Sequence, residues 1–229
     1  WDLAGQRAGA PLWRLLGGQS PTVPVYASGI NPDNSLAVVA RQLSAGHRAF
    51  KVKVGFGREK DIQNLRAVRN LIGDDLALCA DANQAWSLEE ALEMIGHLKP
   101  FNLTWLEEPL RADRPWSEWQ QVAAASSIPI AAGENLSGMS NFRAAVGVGQ
   151  LSYVQPDIAK WGGISACLSV AREVLQSGRT YCPHFLGGGI GLLASAHLLS
   201  AVGGNGWLEI DSNENRLRDV LCGPVSNVV

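Results

Sequence analysis

Residues 49–86 read AFKVKVGFGREKDIQNLRAVRNLIGDDLALCADANQAW. The opening run, 49–54, alternates apolar residues with Lys51 and Lys53, the period-two signature of a strand. Helical periodicity follows over 59–72 and stops at Gly73, as helices commonly do at a glycine. A second strand, 76–81, ends on Asp81. Strand, helix and strand in this order make a βαβ unit, whose two strands run parallel.

The same beat extends in both directions. Strands are predicted at 23–27, 49–54, 76–81, 103–107, 128–131, 151–155, 179–183 and 206–210. Helices are predicted near 34–46, 59–72, 87–98, 115–125, 138–147, 163–177 and 190–202. Ser87 followed by Glu90 fits a capping box, and Pro115 suits a first helical turn. Gly46 and Gly178 close helical runs as Gly73 does. Eight strands with seven helices between them predict an α/β fold, a closed parallel barrel, with an open doubly wound sheet as the rival. A dinucleotide fold would carry GxGxxG after its first strand. The glycines of Gly187–Gly191 come after the seventh strand and read as a tight turn into a helix.

Composition excludes several functions. The chain has 229 residues, 46% of them apolar, and a formal charge of -2. Basic residues are not clustered, so the phosphate contacts of a nucleic-acid partner are not provided for. No window approaches the apolar length of a membrane span, and no signal peptide is seen. Cys79, Cys167, Cys182 and Cys222 are never paired as CxxC and read as buried free thiols of a reducing, cytoplasmic compartment.

The ionisable residues carry the functional reading. Catalytic groups of parallel barrels lie at the C-terminal ends of strands. Lys53, Asp81, Glu107, Glu134, Asp157, His184 and Glu209 fall at or near seven such ends, separated by 28, 26, 27, 23, 27 and 25 residues. That interval is one βα unit, so the seven groups converge on one barrel mouth. Asp81, Glu107 and Glu134 are the metal candidates, because three converging carboxylates repel unless a cation balances them. An all-oxygen set suits Mg²⁺, with Mn²⁺ as a substitute. Alternation alone does not decide between Glu107 and its neighbour Glu108. Lys51 and Lys53 share one strand face, and near a cation a lysine becomes a usable base. His184 backed by Asp157 is a second base. Asn83, Lys160 and Glu209 are candidates for contacting the substrate or tuning these groups. His47, His97 and His197 lie in or beside helices and read as structural.

These residues sit in FKVKVG (50–55), DANQAW (81–86), WLEEPL (105–110), IAAGENL (130–136), VQPDIAKWGG (154–163), YCPHFLGGG (181–189) and WLEID (207–211). The set resembles the mandelate racemase subgroup of the enolase superfamily, and the resemblance covers nearly the whole chain. It implies a TIM-like (β/α)7β barrel. It also implies a division into a linker or helix at 1–20 leading from the family's capping domain, a catalytic barrel at 21–212 and a C-terminal tail at 213–229. The N-terminal capping domain itself is expected to be largely absent from this chain.

The resemblance makes Asp81, Glu107 and Glu134 the metal ligands, and so selects Glu107 over Glu108. It makes Lys53 and the His184–Asp157 dyad the bases on opposite faces of the substrate. Lys51 becomes the cation beside the substrate carboxylate, Glu209 a hydrogen-bonding acid, Asn83 a substrate contact and Lys160 a lysine near the dyad. The activity implied is Mg²⁺-dependent removal of the proton alpha to a carboxylate through an enediolate. Dehydration of an acid sugar to a 2-keto-3-deoxy acid leads, with racemisation or epimerisation of a 2-hydroxy acid close behind. The implied partners are a small-molecule carboxylate and further copies of the chain, as a dimer or octamer. Two rivals of other classes remain: a non-catalytic binding barrel, in which the acids pair with protein cations, and a metal-dependent aldolase, which the all-carboxylate trio disfavours.

Overall fold

A computed structural model describes residues 1–223; residues 224–229, the end of the segment read as a tail, lie outside the described residues. Helices α1 (Asp2–Ala8) and α2 (Leu12–Leu15) occupy the segment read as a linker. Then follow β1 (Val25–Ile30), α3 (Ser35–Ser44), β2 (Ala49–Lys53), α4 (Arg58–Ile72), β3 (Ala77–Asp81), α5 (Leu88–Leu98), β4 (Leu106–Glu107) and α6 (Trp116–Ala125). The order continues with β5 (Ile130–Ala132), α7 (Met139–Gly147), β6 (Tyr153–Val154), α8 (Gly163–Gln176), β7 (Thr180–Tyr181), α9 (Gly189–Val202), β8 (Leu208–Asp211) and α10 (Arg216–Cys222).

The expected strands and helices are all present, with local shifts that have physical causes. β1 runs on to Ile30, because its pairing with β2 slips between Ala27 and Ile30, where Gly29 takes a positive φ of 71°. Pro115 is the N-cap of α6, one residue before the turn expected for it, and its extended φ/ψ serves that position. The Ser87 capping box forms in full: Ser87 Oγ accepts from Glu90 N–H at 3.2 Å, and Glu90 accepts from Ser87 N–H at 2.8 Å. Helix α10 has no counterpart in the expected elements, and three of its apolar residues, Leu217, Val220 and Leu221, are exposed.

The chain divides into two compact units. The first unit comprises Tyr26–Ala132 and Ala144–Tyr153. In it β2 pairs parallel with β1 and β3, β4 with β3, and β5 with β4. The register aligns Lys53 with Asp81 and Asp81 with Glu107. Partners in a parallel ladder point to the same face, so three ionisable ends stand side by side at one level. Phe50 and Val52 point the other way and are fully buried. On α4 the buried Leu65, Val68 and Ile72 form one stripe, each worth about 1.5–3 kcal/mol of burial. Arg69 on the same helix is also buried and donates to four carbonyls, those of Phe101, Gly73, Leu76 and Asn102, at 2.8–3.1 Å. It fastens the end of α4 to the segments on either side of β3 and α5.

The second unit comprises Trp1–Val25, Gly133–Arg143 and the described part of Val154–Val229. The Cys182 N–H donates to Val154 O at 3.1 Å, and Asp157 and His184 form a parallel bridge just beyond. Leu208 N–H donates to Pro24 O at 2.8 Å. Helix α9 is apolar on all sides and packs against α2, α8 and α10, which accounts for its lack of a polar face. Trp13 N–H donates to His197 Nδ1 at 3.3 Å, so this histidine holds α2 on α9. Cys79, Cys167 and Cys182 are buried free thiols and Cys222 is a half-buried one. Among the described residues no helix is long and apolar enough to cross a membrane.

Candidate active site

The first unit gathers Lys51, Lys53, Asp81 and Glu107. Lys53 Nζ lies 2.5 Å from Asp81 Oδ2, a pairing that the Lys53–Asp81 register makes direct. Lys51 Nζ lies 2.5 Å from Glu107 Oε1 and 3.8 Å from Asp81 Oδ2, with its ammonium 5.4 Å above the Tyr26 ring. Lys51, Asp81 and Glu107 are each about 1% exposed, whereas the Lys53 side chain keeps 15% of its surface. Lys53 is thus the lysine of the pair with access to a bound molecule. The second oxygen of Asp81 accepts the Asn83 N–H at 2.8 Å, which bends the chain so that Asn83 and Gln84 take positive φ. The Gln84 side chain in turn accepts the Ala112 N–H at 2.7 Å, tying the loop after β3 to the loop after β4. The register places Glu107 level with Asp81, on the face where Lys51 reaches both. Glu108 is buried as well, and its N–H donates to Ala131 O.

The second unit gathers Glu134, Asp157, Lys160, His184 and Glu209. His184 Nδ1 lies 2.8 Å from Asp157 Oδ2. Its Nε2 contacts Glu134 and lies 3.7 Å from Glu209 Oε2. Asp157 is held by its own turn, accepting the N–H groups of Ala159 at 2.7 Å and Lys160 at 3.1 Å. Glu209 accepts the Phe185 N–H at 3.0 Å, so it fixes the segment that follows His184. Lys160 Nζ reaches Glu134 at 3.1 Å, and Asn135 donates to the other oxygen of Glu134. Burial opposes charge on His184, but the carboxylates of Glu209, Asp157 and Glu134 outweigh it and raise the imidazole to about 10. For Asp157 and Glu134 burial acts upward, and the imidazolium bond prevails, holding both below the usual carboxylate range.

Glu134 is placed by the glycine before it. Gly133 has φ 152°, and a Cβ there would meet Gln155 backbone atoms at 2.5–2.8 Å. Only a residue without a side chain lets the chain turn so close to the 155 backbone.

Among the described residues no three His, Cys, Asp or Glu side chains are gathered as a ready metal cage. The candidate ligands are instead held by bases: Asp81 and Glu107 by lysines, Glu134 by His184 and Lys160. Their chemistry fits a hard divalent ion. Asp81 and Glu107 are oxygen ligands on adjacent strands, level with each other and facing the same way. Three further residues lie beside these groups. Trp105 donates its indole N–H to Glu107 Oε2 at 3.0 Å; standing two before Glu107, it was legible by alternation as sharing that face. Tyr26 lies against Lys51 and Trp105. Ser28, two residues beyond Tyr26, is fully buried with no hydrogen-bond partner for its hydroxyl.

The fold has close parallels. Residues 35–228 match the family described as Enolase C-terminal domain-like. The chain belongs to the mandelate racemase/muconate lactonizing enzyme subgroup of the enolase superfamily. A solved mandelate racemase/muconate lactonizing enzyme from Bordetella bronchiseptica RB50 is 52% identical, with a TM-score of 0.96 over 99% of this chain and 63% of that one. A racemase from Streptomyces coelicolor A3(2), solved with bound magnesium, is 33% identical with a TM-score of 0.85, covering 92% of this chain and 58% of that one. The 3,6-anhydro-alpha-L-galactonate cycloisomerase of Streptomyces coelicolor is 39% identical over 75% of this chain and 48% of its own length. The fold class of this superfamily member is the expected α/β, TIM-like (β/α)7β barrel. Curated relatives of the subgroup divide among cycloisomerases, dehydratases, epimerases and a racemase. The chain spans about half to two-thirds of the length of the relatives it matches.

Proposed function

We propose that this chain carries the barrel chemistry of an enzyme that removes the proton alpha to a carboxylate, and that the reaction is dehydration of an acid sugar. The observation that carries the reading is the His184–Asp157 pair at 2.8 Å, in a chain whose other base, Lys53, keeps part of its side chain accessible. Asp81, Glu107 and Glu134 would hold Mg²⁺, with Mn²⁺ as a substitute. When bound, the ion supplies the Lewis-acid charge that stabilises an enediolate. Lys51 places a buried ammonium where a substrate carboxylate gains charge, and Glu209 adds a hydrogen-bonding acid. Lys53 takes the alpha proton as base. Protonated His184 then gives its proton to the hydroxyl leaving the next carbon, so that water departs and an enol remains. The enol tautomerises to the 2-keto-3-deoxy acid. Asn83 and Lys160 would each offer a polar contact to the hydroxyl groups of such a substrate.

A racemase or epimerase reading uses the same two bases, with His184 returning the proton to the opposite face of the carbon. The range of reactions among relatives favours keeping it. A non-catalytic barrel predicts acids paired with protein cations, and these acids are so paired. A Mn²⁺ titration separates that reading, because a purely structural charge network takes up no ion. The reaction is tested by incubating the protein with Mg²⁺ and a panel of aldonic and aldaric acids. Formation of 2-keto acid is expected, with loss of activity in His184→Asn. Deuterium exchange at carbon 2 without keto acid would instead establish the racemase reading.

A further inference from the structure

We infer that Trp105 is a positioning residue for Glu107, its indole N–H fixing the carboxylate in the rotation that serves a metal ion. The inference rests on the reading of Glu107 as a metal ligand. Glu107 has two oxygens, and two donors address them separately: Lys51 Nζ at Oε1, 2.5 Å away, and Trp105 Nε1 at Oε2, 3.0 Å away. The two donors differ in kind. Lys51 is a cation whose charge opposes a second cation on the same carboxylate, so an incoming ion competes with it. The indole is neutral, donates one hydrogen bond and accepts none. It leaves Glu107 ionised and fully charged toward the ion while restricting how the carboxylate turns.

The indole is itself held in place. Trp105 is 0% exposed. Tyr26 stands edge-on to it, ring centres 5.2 Å apart at 86°, and Tyr153 packs at 4.9 Å and 42°. Rings in this arrangement attract one another beyond simple burial. A donor locked on two sides loses little entropy when its partner becomes a ligand, which is the requirement for an orienting group around a metal. Contrast Trp119, equally buried on α6, whose indole nitrogen has no hydrogen-bond partner. Trp119 therefore serves as a control for losing an indole N–H without losing a bond.

The test is a Mn²⁺ titration of the full chain, following free Mn²⁺ by electron paramagnetic resonance, on the parent, Trp105→Phe and Trp119→Phe. Trp105→Phe is expected to bind about 10–100-fold more weakly, the usual effect of removing an orienting partner, while Trp119→Phe binds as the parent does. Replacing Trp105 by benzothienylalanine keeps the bicyclic shape, exchanges N–H for sulfur and should give the same weakening in a protein that still unfolds in one cooperative transition. This variant decides the matter if Trp105→Phe fails to fold. Parent-like Mn²⁺ affinity in the benzothienyl protein overturns the role of Trp105 and leaves the metal reading standing. A parent that binds no Mn²⁺ overturns both, and so marks the failure as one of the site itself.

Discussion

Gly133 is the position where one methyl group tests the link between backbone and site. In Gly133→Ala the new Cβ would lie 2.5–2.8 Å from the N, C and O atoms of Gln155. Carbon atoms pack at about 3.5 Å or more, so the two segments must part by roughly 1 Å. The obstacle is backbone, which has no rotamer to move aside. Overpacking of this kind costs about 1–3 kcal/mol, and holding alanine at φ 152° costs about 1–3 kcal/mol more. A total near 4 kcal/mol lowers the melting temperature of a chain this size by roughly 8–16 °C. The displaced residue is Glu134, next in sequence and bonded to Lys160 and His184. A shift of about 1 Å in such a group commonly costs about 100-fold in rate. Calorimetry and turnover of the Mg²⁺-loaded protein measure the two effects. A variant that melts and turns over within error of the parent would show that the close approach to Gln155 does not constrain Glu134.

Gly96→Ala is the converse: its Cβ meets nothing within 4 Å in helix α5, so the helix should gain about 0.5–1 kcal/mol in a urea melt. Lys51→Met should destabilise the metal-free protein by about 3–5 kcal/mol, because Glu107 would be left buried and unbalanced by its nearest cation. Mg²⁺ should then raise the melting temperature of Lys51→Met more than that of the parent, and an equal rise would contradict placing the ion at Glu107. Burial holds His197 below the ordinary imidazole value of 6.5, so the folded chain binds fewer protons than the unfolded chain as pH falls past 6.5. Its contribution to stability is complete above 6.5 and is lost as pH falls toward the folded value. Urea midpoints at about pH 8 and about pH 5.5 should differ less in His197→Gln than in the parent.

Much of the fold was legible because each βα unit repeats the same local signals. Alternation marked β2, and the Ser87–Glu90 pair marked the start of α5, where the structure forms both bonds. What stayed hidden depends on distant partners. No pattern within α4 marks Arg69 as buried, because two of its four carbonyl partners, Phe101 and Asn102, arrive only with the chain's return near residue 101. The slip in β1 is a matter of pairing with β2, which no pattern within β1 encodes. At the site, position along the strands was legible and pairing was not. Lys51 and Lys53 could be placed on one face, yet which acid each would meet follows from the β2–β3–β4 register and the depth of each stem. An aromatic in a strand is usually core, and Trp105 is both core and hydrogen-bond donor.

A parallel ladder also explains how one arrangement of strand ends can serve more than one reaction. All strands of such a sheet end on the same side, so one ionisable residue per unit is enough to bring Lys53, Asp81 and Glu107 level. Those groups stand on strands whose positions are fixed by backbone hydrogen bonds, and under the proposed function they would provide proton removal and charge balance whatever the substrate. On the same reading, the groups that distinguish one substrate from another come from segments free to vary, the loops that follow the strands. Two such loops are tied to each other here by Gln84 and Ala112, at 2.7 Å. Gln84→Ala frees the Ala112 N–H and should loosen the loop after β4 while Asp81 and Glu107 stay where the ladder holds them. The expected kinetic signature is a rise in KM of several-fold with kcat nearly unchanged, since the lost contact would serve binding of substrate and transition state alike. A fall in kcat at constant KM would mean that the tie supports the reacting groups, and that strand and loop are not separable in this way.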